Sequence, residues 1–155
     1  MKLSFVIPAY NEENYIAKCL KSIIKEIEGQ SYNIEIIVVN NASDDRTKQI
    51  SQSFNNVIVI DEPRKGLTFA RSAGYRAATG DLIANVDADD ILPSGWIKKV
   101  FEEFSKNNKL ICLSGPVVYY DLSRVTNIQV KIFYFFAYIV YLLSHFIFRK
   151  GGMIQ

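Results

Sequence analysis

The stretch GDLIANVDADDILPSGW, residues 80–96, places an apolar run directly before a cluster of acids. Residues 82–86 carry no charge and predict a buried β-strand. Three carboxylates then follow within four positions, at Asp87, Asp89 and Asp90. Like charges this close repel one another and cost stability unless a positive group lies among them. A turn needs one or two such acids, so three require a further explanation.

The overall composition is typical of one globular domain. At 155 residues the chain can bury a substantial core, but it is too short to predict two domains. Hydrophobic residues make up 49% and charged residues 22%, as in a globular protein with extra apolar weight. The net charge of +2 is close to neutral, so the chain lacks the electrostatic footprint of a nucleic-acid-binding protein.

Two features indicate a cytoplasmic protein. The cysteines, Cys19 and Cys112, each lie in an apolar-periodic segment and lack metal-ligand spacing. We therefore expect two buried free thiols, which suit a reducing cytosol, and no disulfide. The N-terminal sequence MKLSFVIPAYNEEN contains only a short apolar run that ends at Pro8 and precedes acids, so it does not predict a signal peptide.

Short apolar runs alternate with helix-periodic segments along the chain. Strands are predicted at 3–7, 34–39, 57–60 and 82–86, with a further strand or strand pair at 110–120. Helices are predicted after Asn11 up to Gly29, at 44–53, at 67–78 and at 93–104. The first four strands are short runs rich in Val, Ile and Leu. This pattern predicts an α/β fold with a mostly parallel sheet and helices on both faces.

The predicted helix starts depend on local capping. Asn11 and Ser43 are side chains of the type that cap helices, and acids follow each of them at 12–13 and 44–45, where the helix dipole favours negative charge. Pro93 is placed to open the fourth helix. These residues predict where each helix begins.

Polar clusters follow each of the four predicted parallel strands. They read PAYNE, NNASDD, EPRKG and DADD in chain order. In open parallel sheets ligands bind beyond the carboxyl ends of the strands. We call this side of the sheet the carboxyl edge, and the four clusters predict a site there.

Both acids and bases reach this edge. Arg64 and Lys65 lie in the loop after the third strand, although they can equally form an ordinary solvated turn, and Arg71 follows on the next helix. An anionic ligand bound through a divalent cation suits such a mixture, and a nucleoside diphosphate has that chemistry. The chain has neither a G-x-x-x-x-G-K-[ST] loop nor a G-x-G-x-x-G turn after a strand, so metal and cations would have to hold the phosphates.

Four segments together resemble the family 2 glycosyltransferases of the GT-A fold. They read FVIPAYNEENYI, IIVVNNASDD, RKGLTFARSAGYRAATGDLI and NVDADDILPSGW, and with their order and spacing the resemblance covers residues 3–118. It implies a GT-A (Rossmann-like) sheet and transfer of a sugar from a UDP-, GDP- or dTDP-sugar to an acceptor hydroxyl. It also implies a metal-assisted, inverting reaction in cell-envelope polysaccharide biosynthesis.

The resemblance also implies roles for individual residues. The pocket for the base and ribose would contain Pro8, Ala9, Tyr10 and Glu12, and the end of the second strand would present Asn40 and Asn41 to the base. Lys65 and Arg71 would lie near the nucleotide. Asp87 would face the ribose, and Asp89 would hold Mn²⁺ or Mg²⁺. Asp90 is left to support the cluster or to cap the next helix.

The chain departs from the family pattern in two places. The family often has V-D-D where this chain has Val39-Asn40-Asn41, which removes charge and leaves the choice of nucleotide open. The family's general base lies well downstream of D-x-D, and this chain ends at GGMIQ before any such acid. We therefore expect a fragment that binds donor, contains no catalytic base and transfers sugar poorly.

Residues 132–148 contain no Lys, Arg, Asp or Glu and lie between Lys131 and Arg149-Lys150. A helix of this length extends about 26 Å, short of a hydrocarbon core of about 30 Å. One helical face would carry the side chains Tyr134, Tyr138, Tyr141 and His145. This favours a helix in the membrane interface, near a lipid-linked acceptor. A marginal membrane span and a helix buried against a missing C-terminal part remain alternatives.

These expectations divide the chain into an incomplete nucleotide-sugar-binding domain at 1–126, a hydrophobic helix at 127–150 and the start of an acceptor region at 151–155. Two other functions stay open. A nucleotidyltransferase would have a glycine-rich G-G-x-G-T-R loop after the first strand, where this chain has PAYNEEN. A non-catalytic nucleotide-binding or membrane-adaptor fragment is the alternative of a different class.

Overall fold

A computed structural model of the chain describes residues 1–115 and 123–150, without the side chains of 124, 127 and 145–150. The chain forms two compact units, Met1–Ile111 and Cys112–Gln155. The elements are β1 (Lys2–Ala9), α1 (Ile16–Ile27), β2 (Asn33–Asn40), α2 (Thr47–Gln52), β3 (Val57–Asp61), α3 (Leu67–Ala77), β4 (Leu82–Asn85), α4 (Trp96–Lys106) and α5 (Arg124–Lys150).

The four predicted strands form one parallel sheet in the order β3-β2-β1-β4, which confirms the predicted α/β architecture. The register pairs Val38 of β2 with Ile7 of β1 on one side and with Val59 of β3 on the other. β1 is central and its apolar side chains are fully buried, because helices cover the sheet on both faces.

The two faces of the sheet bury different helices. α1 and α4 pack on one face, where Phe5 and Ile7 of β1 meet Leu20 and Ile97. α3 packs on the other face through small side chains such as Ala70 and Ala73, beside Ile37 and Val39 of β2. The small side chains let α3 approach the sheet closely. Because α3 follows the carboxyl end of β3, its first turn lies near the carboxyl edge.

Three helix starts lie later than predicted. α1 begins at Ile16 instead of following Asn11, which has a positive φ of 57°. α2 begins at Thr47, so the acids at 44–45 precede it and Ser43 does not cap it. α4 begins at Trp96 after Gly95, beyond the predicted start at Pro93. The two predicted caps, Asn11 and Ser43, bond between the loops that precede α1 and α2, as described below.

The chain after α4 differs from the expectations in two respects. Residues 110–115 form no strand, and the remainder of the strand predicted at 110–120 lies outside the described residues. α5 contains the hydrophobic helix predicted at 127–150, with its uncharged segment 132–148, and begins three residues earlier, at Arg124. No helix in the part of the chain that the structure describes combines the length and apolarity needed to cross a membrane.

The two cysteines lie in different surroundings. Cys19 is buried in α1 as predicted, whereas Cys112 is exposed, so the prediction of a second buried thiol was wrong. Both are free thiols. The apolar neighbours of Cys112 predict a strand, but the described residues 110–115 form none, and the Cys112 side chain is exposed.

Candidate functional site

A cavity of about 600 Å³ lies at the carboxyl edge of the sheet. Its lining comes from the ends of β1, β2 and β4 and from the start of α3, namely Pro8, Ala9, Tyr10, Glu12, Asn41, Lys65, Gly66, Leu67, Ala70, Asp87, Ala88 and Asp89. Eight of these are residues that the sequence assigns to the site. Parallel strands end at the same edge, so segments distant in sequence meet here.

The loops after β1 and β2 are joined by hydrogen bonds that position Glu12. Successive backbone N–H groups of the first loop donate to side chains of the second, from Asn11 to Ser43 Oγ (3.1 Å), from Glu12 to Thr47 Oγ1 (2.7 Å) and from Glu13 to Asp45 Oδ2 (3.0 Å). In return, the N–H of Asp44 donates to Asn11 Oδ1 (2.9 Å). These contacts explain why Asn11 and Ser43 do not cap the two helices, whereas Asp45 Oδ1 accepts from the N–H of Thr47, the first residue of α2 (2.9 Å).

The two asparagines after β2 have different surroundings. Asn40 does not line the cavity, because its Nδ2 donates to Asp61 Oδ1 on the neighbouring strand (2.8 Å). Asn41 lines the cavity, and its amide bonds to the backbone of the β3–α3 loop, residues 62–66. The contact of each asparagine with a base stays a prediction.

Lys65 connects the β3–α3 loop to the end of β1. Its Nζ donates to Tyr10 Oη at 3.0 Å and lies 4.8 Å from the centre of the Tyr10 ring. Asp44 lies 3.6 Å from the same Nζ. The hydrogen bond to Tyr10 raises the pKa of Lys65, so the ammonium stays charged at neutral pH. A positive charge and an aromatic face therefore meet at one wall of the cavity.

The acidic cluster is organised around Asp87. Arg71, which does not line the cavity, donates from Nη2 to Asp87 Oδ1 at 3.0 Å. Asp90 Oδ2 accepts from the N–H of Asp87 (3.2 Å), and the N–H of Asp90 donates to Asp87 O (3.0 Å). Asp90 thus supports the turn that presents Asp87, and the alternative that it caps α4 was wrong, because α4 begins at Trp96 without a side-chain cap.

Negative charge accumulates around this turn. Burial raises the pKa of Glu12, and the carboxylates of Asp89, Asp45 and Asp87 raise it further. A cation at Asp87 and Asp89 would relieve this repulsion, and carboxylate oxygens are ligands that Mg²⁺ and Mn²⁺ accept. Among the described residues no group of three or more His, Cys, Asp or Glu could hold a metal ion. The donors present therefore fit a cation that takes its other ligands from phosphate or water.

Four lining residues were not predicted. Gly66, Leu67, Ala70 and Ala88 supply small or apolar surface between the charged groups. Leu67 and Ala70 are three residues apart in the first turn of α3, so helical spacing from the basic loop is the signal that could have found them. The other two depend on the backbone path, which the residue types do not show.

A second cavity, of about 480 Å³, lies at the opposite, amino ends of β2 and β3. Glu35 and Tyr32 are among its lining residues, and none of the residues that the sequence assigns to the site lies there. Ligand chemistry in parallel sheets is concentrated at the carboxyl ends of strands. The first cavity is therefore the candidate site.

Comparison with known proteins identifies relatives of this chain. The sequence model of the family described as "Glycosyl transferase family 2" matches residues 4–153. The Dolichyl-phosphate beta-glucosyltransferase ALG5D of Trichomonas vaginalis is 34% identical over 137 residues, which cover 79% of this chain and 42% of that protein. The chain spans less than half the length of the first curated relatives that it matches.

Solved structures share the fold. The crystal structure of S. aureus TarS 1–349 in complex with UDP matches with a TM-score of 0.65 at 24% identity, covering 79% of this chain and 40% of that one. A second match is glucosyl-3-phosphoglycerate synthase from Mycobacterium tuberculosis in complex with Mn²⁺, UDP and phosphoglyceric acid. The TM-score is 0.55 at 24% identity, and the match covers 67% of this chain and 38% of that one. At this identity the likeness shows the fold.

Proposed function

The chain belongs to glycosyl transferase family 2, and from this membership we propose that it binds a nucleotide-diphosphate sugar as the donor of a glycosyl transfer reaction. The observation that carries the proposal is the cavity at the carboxyl edge, where eight residues with donor-binding chemistry meet. The TarS structure with bound UDP supports a nucleotide donor. Family membership favours sugar transfer over the nucleotidyltransferase alternative.

The cavity offers separate surfaces for the parts of such a donor. The Tyr10 ring, 45% exposed, presents an aromatic face to the base, and Pro8 and Ala9 add apolar surface beside it. Glu12 can accept hydrogen bonds from ribose hydroxyls. Lys65 would offset phosphate charge. The amides at the end of β2 can donate to or accept from a base edge, so they do not select one nucleotide.

Asp87 and Asp89 are the residues that would hold a divalent metal and the donor. By our proposal Asp89 contacts the metal, while Asp87, oriented by Arg71 and Asp90, faces the ribose. A bound Mn²⁺ or Mg²⁺ would supply Lewis-acid stabilisation of charge on the departing nucleoside diphosphate. The Mn²⁺ in the glucosyl-3-phosphoglycerate synthase structure supports this chemistry.

The proposed reaction is a single displacement. The acceptor hydroxyl oxygen forms a bond to the anomeric carbon while the bond from that carbon to the phosphate oxygen breaks. The hydroxyl proton passes to a general base, and one displacement inverts the anomeric configuration. We assign no described residue to the role of general base. The contribution of the described residues is to bind and orient the donor.

Isothermal titration calorimetry with UDP, GDP and dTDP, each with and without Mn²⁺, tests the proposal. We expect metal-dependent binding of at least one nucleotide and its loss in Asp89→Asn. Asp81→Asn is the matched control, because Asp81 accepts from the N–H of Lys2 at the other end of the sheet (2.7 Å). The absence of nucleotide binding by the wild-type chain, or equal binding by Asp89→Asn, would contradict the proposal.

We further propose that α5 lies in the interface of a membrane, where it brings the site to a lipid-linked acceptor. Its apolar side chains are exposed at successive positions around the helix, including Phe133 (70%), Tyr138 (58%) and Val140 (64%). Tyr134, Tyr138 and Tyr141 are exposed on one face of the helix beside these apolar side chains, and amphipathic tyrosine rings suit the head-group level of a membrane. Lys131 precedes the apolar segment and can meet anionic head groups. The free thiols suit the cytoplasmic side.

Co-sedimentation with vesicles of phosphatidylcholine, with and without phosphatidylglycerol, tests this second proposal. We expect binding that increases with anionic lipid and is reduced in the double variant Phe133→Ser/Val140→Ser. Ile111→Ser, which removes an apolar side chain outside α5 that is even more exposed (96%), is the control and should bind as the wild type does. Equal sedimentation of both variants, or none by the wild type, would contradict the proposal.

A further inference from the structure

The side-chain amide of Asn41 makes three hydrogen bonds to the backbone of the β3–α3 loop. Its Nδ2 donates to Glu62 O at 3.1 Å and to Arg64 O at 2.7 Å. Its Oδ1 accepts from the N–H of Gly66 at 2.8 Å. Only 4% of Asn41 is exposed. The contact requires a donor and an acceptor on one short side chain, which an amide has and an ionised carboxylate lacks.

The β3–α3 loop needs such an anchor. Gly66 has a φ of 136°, a conformation that residues with a side chain rarely adopt. The loop leaves the sheet at Glu62, whose N–H donates to Asn40 O, and joins α3 where Gly66 O accepts from Ala70. Between these ends the described hydrogen bonds to the loop backbone come from two side chains. One is Asn41, and the other is Glu62, whose carboxylate accepts from the N–H of Arg64 (3.0 Å). Without Asn41 the loop loses contacts at both ends.

Lys65 is the residue whose position depends on this anchor. It lies between Arg64 and Gly66, and Asn41 binds the backbone of both. The resulting backbone path directs the Lys65 side chain to the cavity and to Tyr10 Oη. A shift of the loop would carry the ammonium away from the cavity, even though Lys65 itself is unchanged.

We propose that Asn41 is a positioning residue, which holds the β3–α3 loop so that the Lys65 ammonium meets the phosphates of the donor; this inference rests on the proposed function. It differs from the role that the resemblance implies, in which Asn41 presents its amide to the base. In the role proposed here Asn41 contributes to nucleotide affinity through Lys65, and its bonds are made to the protein.

The variant Asn41→Asp separates the two roles. An aspartate keeps an oxygen that can accept from a base N–H, so a residue that reads the base would tolerate it for a base that offers a donor. In the anchor role the same change removes both donated bonds and places a carboxylate beside the carbonyl oxygens of Glu62 and Arg64. The loop would then move away, because these oxygens repel the new charge.

Calorimetry of UDP binding in the presence of Mn²⁺ tests the proposal on the wild type, Asn41→Asp, Lys65→Met and the double variant. We expect each single change to weaken binding about tenfold and the double variant to bind no more weakly than Lys65→Met. A loss from Asn41→Asp that persists undiminished beside Lys65→Met, or affinity equal to the wild type, would overturn the inference. Failure of the wild type to bind UDP, GDP or dTDP would overturn the proposed function and this inference with it.

Amide hydrogen exchange measured by NMR tests the anchor directly if Asn41→Asp does not fold. In Asn41→Ser, a milder change, we expect faster exchange at the Gly66 N–H with other sheet amides still protected. Ser51→Ala is the control, since it removes one buried side-chain bond, to Thr47 O (2.8 Å), away from the loop. Unchanged exchange at Gly66 in Asn41→Ser would overturn the proposal.

Discussion

Gly74 is the position where the packing of α3 on the sheet can be tested most sharply. A Cβ at this position would lie 2.3 Å from Val6 Cγ1 and 3.2 Å from Val39 Cγ2. Both valines are fully buried in neighbouring strands of the sheet, so neither side chain has free space to move into. Gly74→Ala therefore forces α3 away from the sheet or displaces the strands.

Two opposing effects determine the magnitude. Over-packing a core by one methyl group costs about 1–3 kcal/mol. Replacing glycine by alanine inside a helix recovers up to about 1 kcal/mol. A contact of 2.3 Å is far inside van der Waals separation, so we expect the cost to prevail. The free energy of unfolding of Gly74→Ala should fall by about 1–2 kcal/mol.

Urea unfolding monitored by circular dichroism measures this change. Val6→Ala, which removes the clashing Cγ1, should lose stability alone but should show a favourable coupling of about 1 kcal/mol with Gly74→Ala. Gly115→Ala is the control, because a Cβ there meets nothing within 4 Å, and its effect should stay within about 0.5 kcal/mol. A Gly74→Ala protein as stable as the wild type, or additive behaviour with Val6→Ala, would refute the reasoning.

Two further predictions concern ionisable groups. Burial raises the pKa of Glu35, but hydrogen bonds led by those from Ser4 and Thr79 outweigh it and lower the pKa from 4.5 to about 2. The folded pKa is the lower one, so this stabilisation is present above pH 4.5 and is lost as the pH falls towards 2. Solvent screening limits this contribution to the free energy of unfolding to about 1–2 kcal/mol. Glu35→Gln should therefore lose less stability than the wild type as the pH falls from 4.5 towards 2 in acid unfolding. An unchanged dependence of stability on pH would contradict the prediction. Burial also raises the pKa of Cys19 to about 12. A thiol reagent at pH 8 should therefore label the exposed Cys112 in the folded chain and Cys19 only after unfolding. Rapid labelling of folded Cys112→Ser, in which Cys19 is the remaining thiol, would disprove this.

The elements of the sheet were predictable because each uses information that is local in sequence. The apolar runs at 34–39 and 57–60 are too short and too rich in β-branched residues for helices, and both form strands within one residue of the predicted bounds. The starts of α1, α2 and α4 were not predictable in this way. Asn11 and Ser43 have capping side chains, but the structure uses them between the loops after β1 and β2. A capping preference of about 1 kcal/mol is small enough for tertiary contacts to override.

The sequence alone determined that this chain is a parallel α/β protein of glycosyl transferase family 2 with acids and bases at one edge of the sheet, because hydrophobic periodicity and motif spacing depend on residue types along the chain. Only the tertiary structure decided which of those polar residues face the cavity. Asn40 and Asn41 are adjacent and chemically identical, yet one bonds to the neighbouring strand and the other holds the β3–α3 loop. The difference arises because successive side chains at a strand end point to opposite sides, so their partners come from segments that the sequence does not place beside them.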